Sequence, residues 1–275
     1  LSVVEAGHCE RNLQIDYDEE VFSAAKKEMY DHARSTDDRP FMLHVSFTQP
    51  HNPFVAGKKY WDMYEGLNIP EPEVAHINYE QRDPWSQRYY MTIRQDEFDI
   101  TPEQLYNARR AYFAMVSHLD ELIGGLMSTL KSIGQLENTY IFFTSDHGEM
   151  LGERGMWYKF NPYEASIRVP LIVQGPYFKA GYREEALASL VDLLPTFLDI
   201  ASGGAFDDYA APYDGRSLLK LPERKSEEDK IFIEFNGEGL YAPALMMIKG
   251  NLKLVHSRTD PKLFFDLEKD PLELT

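Results

Sequence analysis

The run Tyr140-Ile141-Phe142-Phe143-Thr144 is β-branched and aromatic and empties directly into Ser145-Asp146-His147-Gly148-Glu149. Such a run reads as a buried strand, and open α/β sheets place their sites just past the carboxyl ends of strands. An Asp-His pair here is therefore presented from a rigid support, with Gly148 letting the backbone turn so that both side chains can face one point. An isolated Asp-His-Gly is a weak signal. Two other segments share its style. Phe41 to Phe47 is a second buried-looking strand that runs into the proline-flanked His51, and Gly152-Glu153-Arg154-Gly155-Met156-Trp157-Tyr158-Lys159 is a glycine-punctuated loop that carries a cation. Ligating or basic side chains thus recur where the sequence passes from apolar to Gly/Pro-rich.

The remaining chain supports an α/β fold. With 275 residues it can bury a full core, and its composition is that of an ordinary globular protein. The formal charge of −17 argues against nucleic acid or an anionic membrane as partner, since both need a basic face, and mildly favours a cationic ligand. No apolar run reaches membrane-spanning length, and Leu1 to Gly7 lacks the basic start and long apolar core of a signal peptide. The chain has no initiator methionine and opens as if inside a structure, so a fragment is expected. A single cysteine, Cys9, excludes an internal disulfide framework and fits a reducing, cytoplasmic compartment.

Val3-Val4 and Leu13 to Tyr17 read as short strands, followed by a helix from Asp18, its expected N-cap, to about Arg34, with Val21, Phe22, Ala25 and Met29 at helical spacing. Residues 49 to 100 form a long excursion rich in proline and aromatics, expected to serve as active-site rim or subunit contact. Thr101, Pro102 and Gln104 form a capping box that opens a helix ending before Gly134. His118 and Asp120 on it are expected to be packed or solvated rather than metal ligands. A strand at Val169 to Gln174 and a helix at Ser189 to Ile200 follow. Strands alternating with helices imply a largely parallel or mixed sheet sandwiched by helices. After Gly203-Gly204, short strands at Ile231 to Phe235, Ala244 to Ile248, Leu252 to Val255 and Leu263 to Asp266 imply a small antiparallel subdomain. The domains are set at 1–205 and 206–275.

Several segments together resemble the sulfatases of the alkaline phosphatase superfamily, choline sulfatases most closely. They are His44 to Phe54 with His51, Thr144 to Lys159, the Arg168 to Ile172 strand, the Val191 to Ala201 helix and the tail Phe265 to Leu274 with its Asp270-Pro271-Leu272-Glu273 motif. The resemblance implies an alkaline-phosphatase-like fold and hydrolysis of a sulfate ester, choline sulfate first. It casts Asp146 and His147 as ligands of a divalent cation, Lys159 as the cation bridging metal shell and sulfate, and His51 as the acid or ligand near the leaving oxygen. Hard oxygen ligation favours Ca2+, with Mn2+ or Mg2+ open.

The Cys-x-Pro-x-Arg or Ser-x-Pro-x-Arg motif that yields the family's formylglycine nucleophile is absent, and Cys9 is followed by Glu10-Arg11-Asn12. The chain is therefore expected to be a C-terminal portion, short of its own end as well, that supplies half a site beside the N-terminal portion in a homo-oligomer. Aryl sulfates or phosphonate monoesters are the alternative substrates. A catalytically silent metal-binding or assembly module is the alternative from outside enzymology.

Overall fold

A computed structural model describes residues 2–176, 178–204, 213–223 and 229–275. They form an α/β protein with parallel and antiparallel sheets, divided between two compact units. The first unit holds Leu1–His76, Ile93–Ile141 and Leu151–Tyr158; the second holds Ile77–Thr92, Phe142–Met150 and Lys159–Thr275. The boundary expected at residue 205 falls outside the described residues.

In the first unit, β1 (Gly7–Cys9) pairs in parallel with β2 (Val55–Gly57), and α1 (Leu13–Arg34) lies between them in sequence. The helix starts earlier than the sequence suggests. Asn12 is the cap, its side chain accepting from the Ile15 amide at 2.9 Å, so Leu13 to Tyr17 is helix and not strand. The apparent alternation there was coincidental, because Leu13 and Tyr17 are exposed and only Ile15 is buried. Val3-Val4 lies in a turn, with Val3 fully buried.

After β2 come the short α2 (Lys58–Asp62) and, within the second unit, α3 (Pro84–Thr92). The long helix α4 (Pro102–Ser132) has the expected Thr101–Gln104 capping box. Ala108, Ala111 and Ala114 are all fully buried, and such small side chains let neighbouring backbone come close. Phe54, Trp61, Leu151 and Trp157 pack with Ala108 and Ala111, and burying a side chain such as Phe54 contributes roughly 1.5–3 kcal/mol. Phe41 to Phe47 forms no strand and pairs with none among the described residues. Its alternation is nonetheless real: Phe41, Leu43, Val45 and Phe47 pack onto Ala25 and Met29 of α1 and Leu126 and Leu130 of α4, while Met42 is exposed.

In the second unit, β3 (Ile141–Thr144) pairs with β4 (Leu171–Gln174), and the four-residue α5 (Glu164–Ile167) precedes β4. The helix expected from Ser189 begins as a tight turn over Leu190–Asp192, capped reciprocally by Ser189 and Asp192, and becomes α6 at Leu193–Ala201. The antiparallel subdomain is a four-strand meander, β5 (Lys230–Phe235), β6 (Ala244–Lys249), β7 (Leu252–Ser257) and β8 (Leu263–Asp266). Opposed Lys249 and Leu252 leave Gly250-Asn251 as a two-residue hairpin turn. Ala244, Met246, Ile248, Val255 and Phe265 are buried. Lys253 interrupts this apolar set, fully buried between Glu164 and Glu273.

Candidate active site

Asp146 and His147 leave the end of β3 side by side. The carboxylate Oδ2 lies 3.7 Å from the imidazole Nε2, and the Asp146 side chain is 86% exposed. Asp146 Oδ1 accepts the His147 amide at 3.0 Å, and Ser145 Oγ donates to the His147 carbonyl at 3.0 Å, which fixes the turn. His147 Nδ1 lies 2.8 Å from the Gly148 carbonyl oxygen. A carbonyl can only accept, so Nδ1 carries a proton, and Nε2 is the ring nitrogen that faces the carboxylate. That is the way metal-ligating histidines are usually held.

Gly148 follows for a reason other than backbone freedom. A Cβ there would stand 2.1 Å from the Ala165 carbonyl oxygen, and the Gly148 amide donates to Ser166 O at 2.7 Å. The glycine is what lets α5 come close enough to brace the Asp-His turn.

The carboxylate and imidazole suit two positions around a divalent ion such as Ca2+ or Mn2+. Among the described residues no group of three or more His, Cys, Asp or Glu side chains converges to hold a metal. This pair of donors is compatible with such an ion.

Lys159 belongs to the same unit. Its neighbours Tyr158 and Phe160 both have left-handed backbone, with φ of 66° and 70°, a conformation that non-glycine residues adopt at a cost of about 1–3 kcal/mol and that clusters at functional sites. The Phe160 ring is held edge-on to Tyr89 and against Phe235, which stacks on Trp85. The Lys159 ammonium sits 5.2 Å from the centre of the Phe160 ring. Buried Asn161 donates to the Lys159 carbonyl and accepts the Tyr163 amide, which locks the turn after it.

His51 lies in the first unit, in a turn closed by its amide on Thr48 O and flanked by two cis peptide bonds, Gln49-Pro50 and Asn52-Pro53. Its Nδ1 donates to Asn52 O at 2.7 Å, which fixes the orientation of the ring. Helix α1 holds this turn: Asp18, fully buried, accepts the Thr48 and Gln49 amides at 2.6 and 3.0 Å, and Gln14 donates to the His51 and Asn52 carbonyls. Asp18 is therefore the anchor of the His51 loop and not a helix cap. A sequence signal existed for it, because Asp18 falls on the stripe of Phe22, Ala25 and Met29, where a buried carboxylate must have partners.

His118, equally on an apolar stripe, is packed as expected. It donates to Gln49 Oε1 at 2.9 Å and stacks on Tyr60. Among the described residues, no helix is long and apolar enough to cross a membrane.

The model of the sulfatase family matches residues 5–204. The chain belongs to this family. A second model, described as N-sulphoglucosamine sulphohydrolase, C-terminal, matches residues 152–275. Among curated relatives, the choline-sulfatase of Rhizobium meliloti (strain 1021) is 42% identical over all of this chain and 54% of its own length. The arylsulfatase of Clostridium perfringens is 32% identical over 88% of the chain and 50% of its own length. The crystal structure of the phosphonate monoester hydrolase of Agrobacterium radiobacter superposes with a TM-score of 0.74 at 27% identity, covering 93% of this chain and 55% of that one. The sulfatase fold, of alkaline-phosphatase type, is thus shared across the chain, which spans about half the length of the curated relatives it matches.

Proposed function

We propose that this chain supplies one wall of the active site of a metal-dependent, cytoplasmic sulfuric ester hydrolase that acts on choline sulfate. The observation that carries the reading is the Asp146–His147 pair, in which a carboxylate oxygen and the imidazole Nε2 lie side by side at a strand end. Its substrate is inferred from the 42% identity to a choline-sulfatase along the full chain, with the net charge of −17 in keeping with a substrate that carries a quaternary ammonium group.

Breaking a sulfate ester moves negative charge onto the leaving oxygen. When bound, a divalent cation held by Asp146 and His147 supplies Lewis-acid stabilisation of the sulfate oxygens. Lys159 places a fixed positive charge on the same group, and its ammonium needs no reorganisation as charge develops. His51, oriented through Nδ1, holds at Nε2 the proton that the leaving alcohol takes up. The nucleophile, a formylglycine, comes in this reading from sequence outside these 275 residues, as do the remaining metal ligands, within a homo-oligomer.

Phosphonate monoesters are a second reading, favoured by the superposition on a phosphonate monoester hydrolase. Metal, lysine and histidine serve a sulfuryl or a phosphoryl centre alike. The two separate when the full-length protein is offered choline sulfate, an aryl sulfate and an aryl phosphonate monoester in parallel. A clear preference in kcat/KM for choline sulfate is expected, and a preference for the phosphonate would replace the first reading by the second.

A further inference from the structure

The tail motif Asp270-Pro271-Leu272-Glu273 has no part in the chemistry above, yet it reaches the site through an unbroken set of contacts within the second unit. Glu273 is 4% exposed and has left-handed backbone with φ of 54°. Its Oε1 accepts from Lys253 Nζ at 2.6 Å and its Oε2 from the Glu164 amide at 2.8 Å. Lys253 Nζ also donates to Glu164 Oε1 at 2.9 Å. Two carboxylates thus share one fully buried ammonium, and Glu273 caps the first residue of α5. Toward the other end of that helix, Ser166 O accepts the Gly148 amide at 2.7 Å, and the Gly148 carbonyl accepts His147 Nδ1 at 2.8 Å.

We infer that Glu273 and Lys253 are positioning residues for His147: through α5 and Gly148 they set the ring orientation and tautomer that present Nε2 to the metal. The inference rests on His147 being a metal ligand. A helix of only four residues cannot hold its own geometry, so its position is set by what grips its two ends. A buried ion pair is a poor device for stability alone, because desolvation offsets its attraction, but it fixes a register well. Here the register it fixes is that of α5 against the Asp-His turn.

The test uses full-length protein labelled with 15N-histidine, kept metal-free at a pH where the imidazole is neutral, with the His147 ring signals assigned by their loss in His147→Gln. The parent is expected to show Nδ1–H at His147. The double variant Lys253→Met/Glu273→Gln leaves Glu164 in reach of water and no unpaired buried charge. It is expected to move the ring toward the mixed tautomers of free imidazole and to weaken Mn2+ binding by about 10- to 100-fold, the usual effect of losing an outer-shell partner. A folded double variant whose ring signals and Mn2+ affinity match the parent would overturn the inference even if its Tm fell, as would a parent with Nε2–H at His147. If the double variant does not fold, Glu273→Asp, which keeps the charge but shortens the reach, is read in the same way. A parent that binds no Mn2+ removes the metal reading, while the ring signals still decide whether Glu273 and Lys253 orient His147.

Discussion

Gly148 and Ala165 approach so closely that a Cβ on residue 148 would stand 2.1 Å from the Ala165 carbonyl oxygen. Backbone cannot yield as a side-chain tip can. Gly148→Ala should therefore destabilise the protein by about 1–3 kcal/mol, the typical cost of overpacking, visible as a lower Tm. An unchanged melting curve would show that α5 is free to move away and does not brace the Asp-His turn.

Asp146 is 86% exposed at its side chain, so its loss forfeits little beyond the hydrogen bond it accepts from the His147 amide. Asp146→Ala is expected to leave the circular dichroism of the full-length protein unchanged and to lower Tm only slightly while emptying the metal site, as measured by elemental analysis after dialysis. Full metal content in the variant would remove Asp146 from the ligand set.

Lys159→Ala is expected to lower kcat of the full-length enzyme by about 100- to 1000-fold, as loss of one preorganised charge-stabilising group does, with KM changed far less. Because the Lys159 turn is held by Phe160 and Asn161, the variant should fold normally. A drop in kcat of less than a few-fold would assign the lysine to packing.

His118 gives the fold a pH dependence separate from catalysis. Burial pushes its pKa below the ordinary 6.5, against the pull of Asp18, Glu19 and Glu121 and with a small push from Lys59. The folded protein thus binds the proton less well than the unfolded chain. The stability contribution is complete above the unfolded value near 6.5 and declines as pH falls through it, at no more than about 1.4 kcal/mol per pH unit. Denaturation across this range should show the slope in the parent and a flatter one in His118→Gln. Equal slopes would mean that the ring accepts its proton in place.

The helices with explicit end chemistry were legible in sequence, α4 above all, because Thr101, Pro102 and Gln104 act locally. The meander was legible too, since inward and outward residues alternate strand by strand, and β8 has the expected bounds. What failed at the start of α1 was a choice between two local patterns: Leu13, Ile15 and Tyr17 alternate like a strand, while Asn12 caps a helix, and the cap prevailed. The Asp146-His147 turn could be placed from a strand running into glycine, but not its brace. Nothing in the sequence near Gly148 names Ser166 or Ala165, and the ties from Asp18 to the His51 loop and from Glu273 to α5 link segments 30 and 109 residues apart. Such contacts follow from packing, which single-residue patterns encode only as a polar residue on an apolar stripe.

The most direct measurement is sulfate release from choline sulfate by the full-length protein, parent against Asp146→Ala, with each sample's metal content determined beforehand. The expected result is metal-dependent turnover in the parent and none above background in the variant. Equal sulfate release by both proteins, or none from a metal-loaded parent, would contradict the assignment of this strand end as one wall of a choline-sulfate-hydrolysing site.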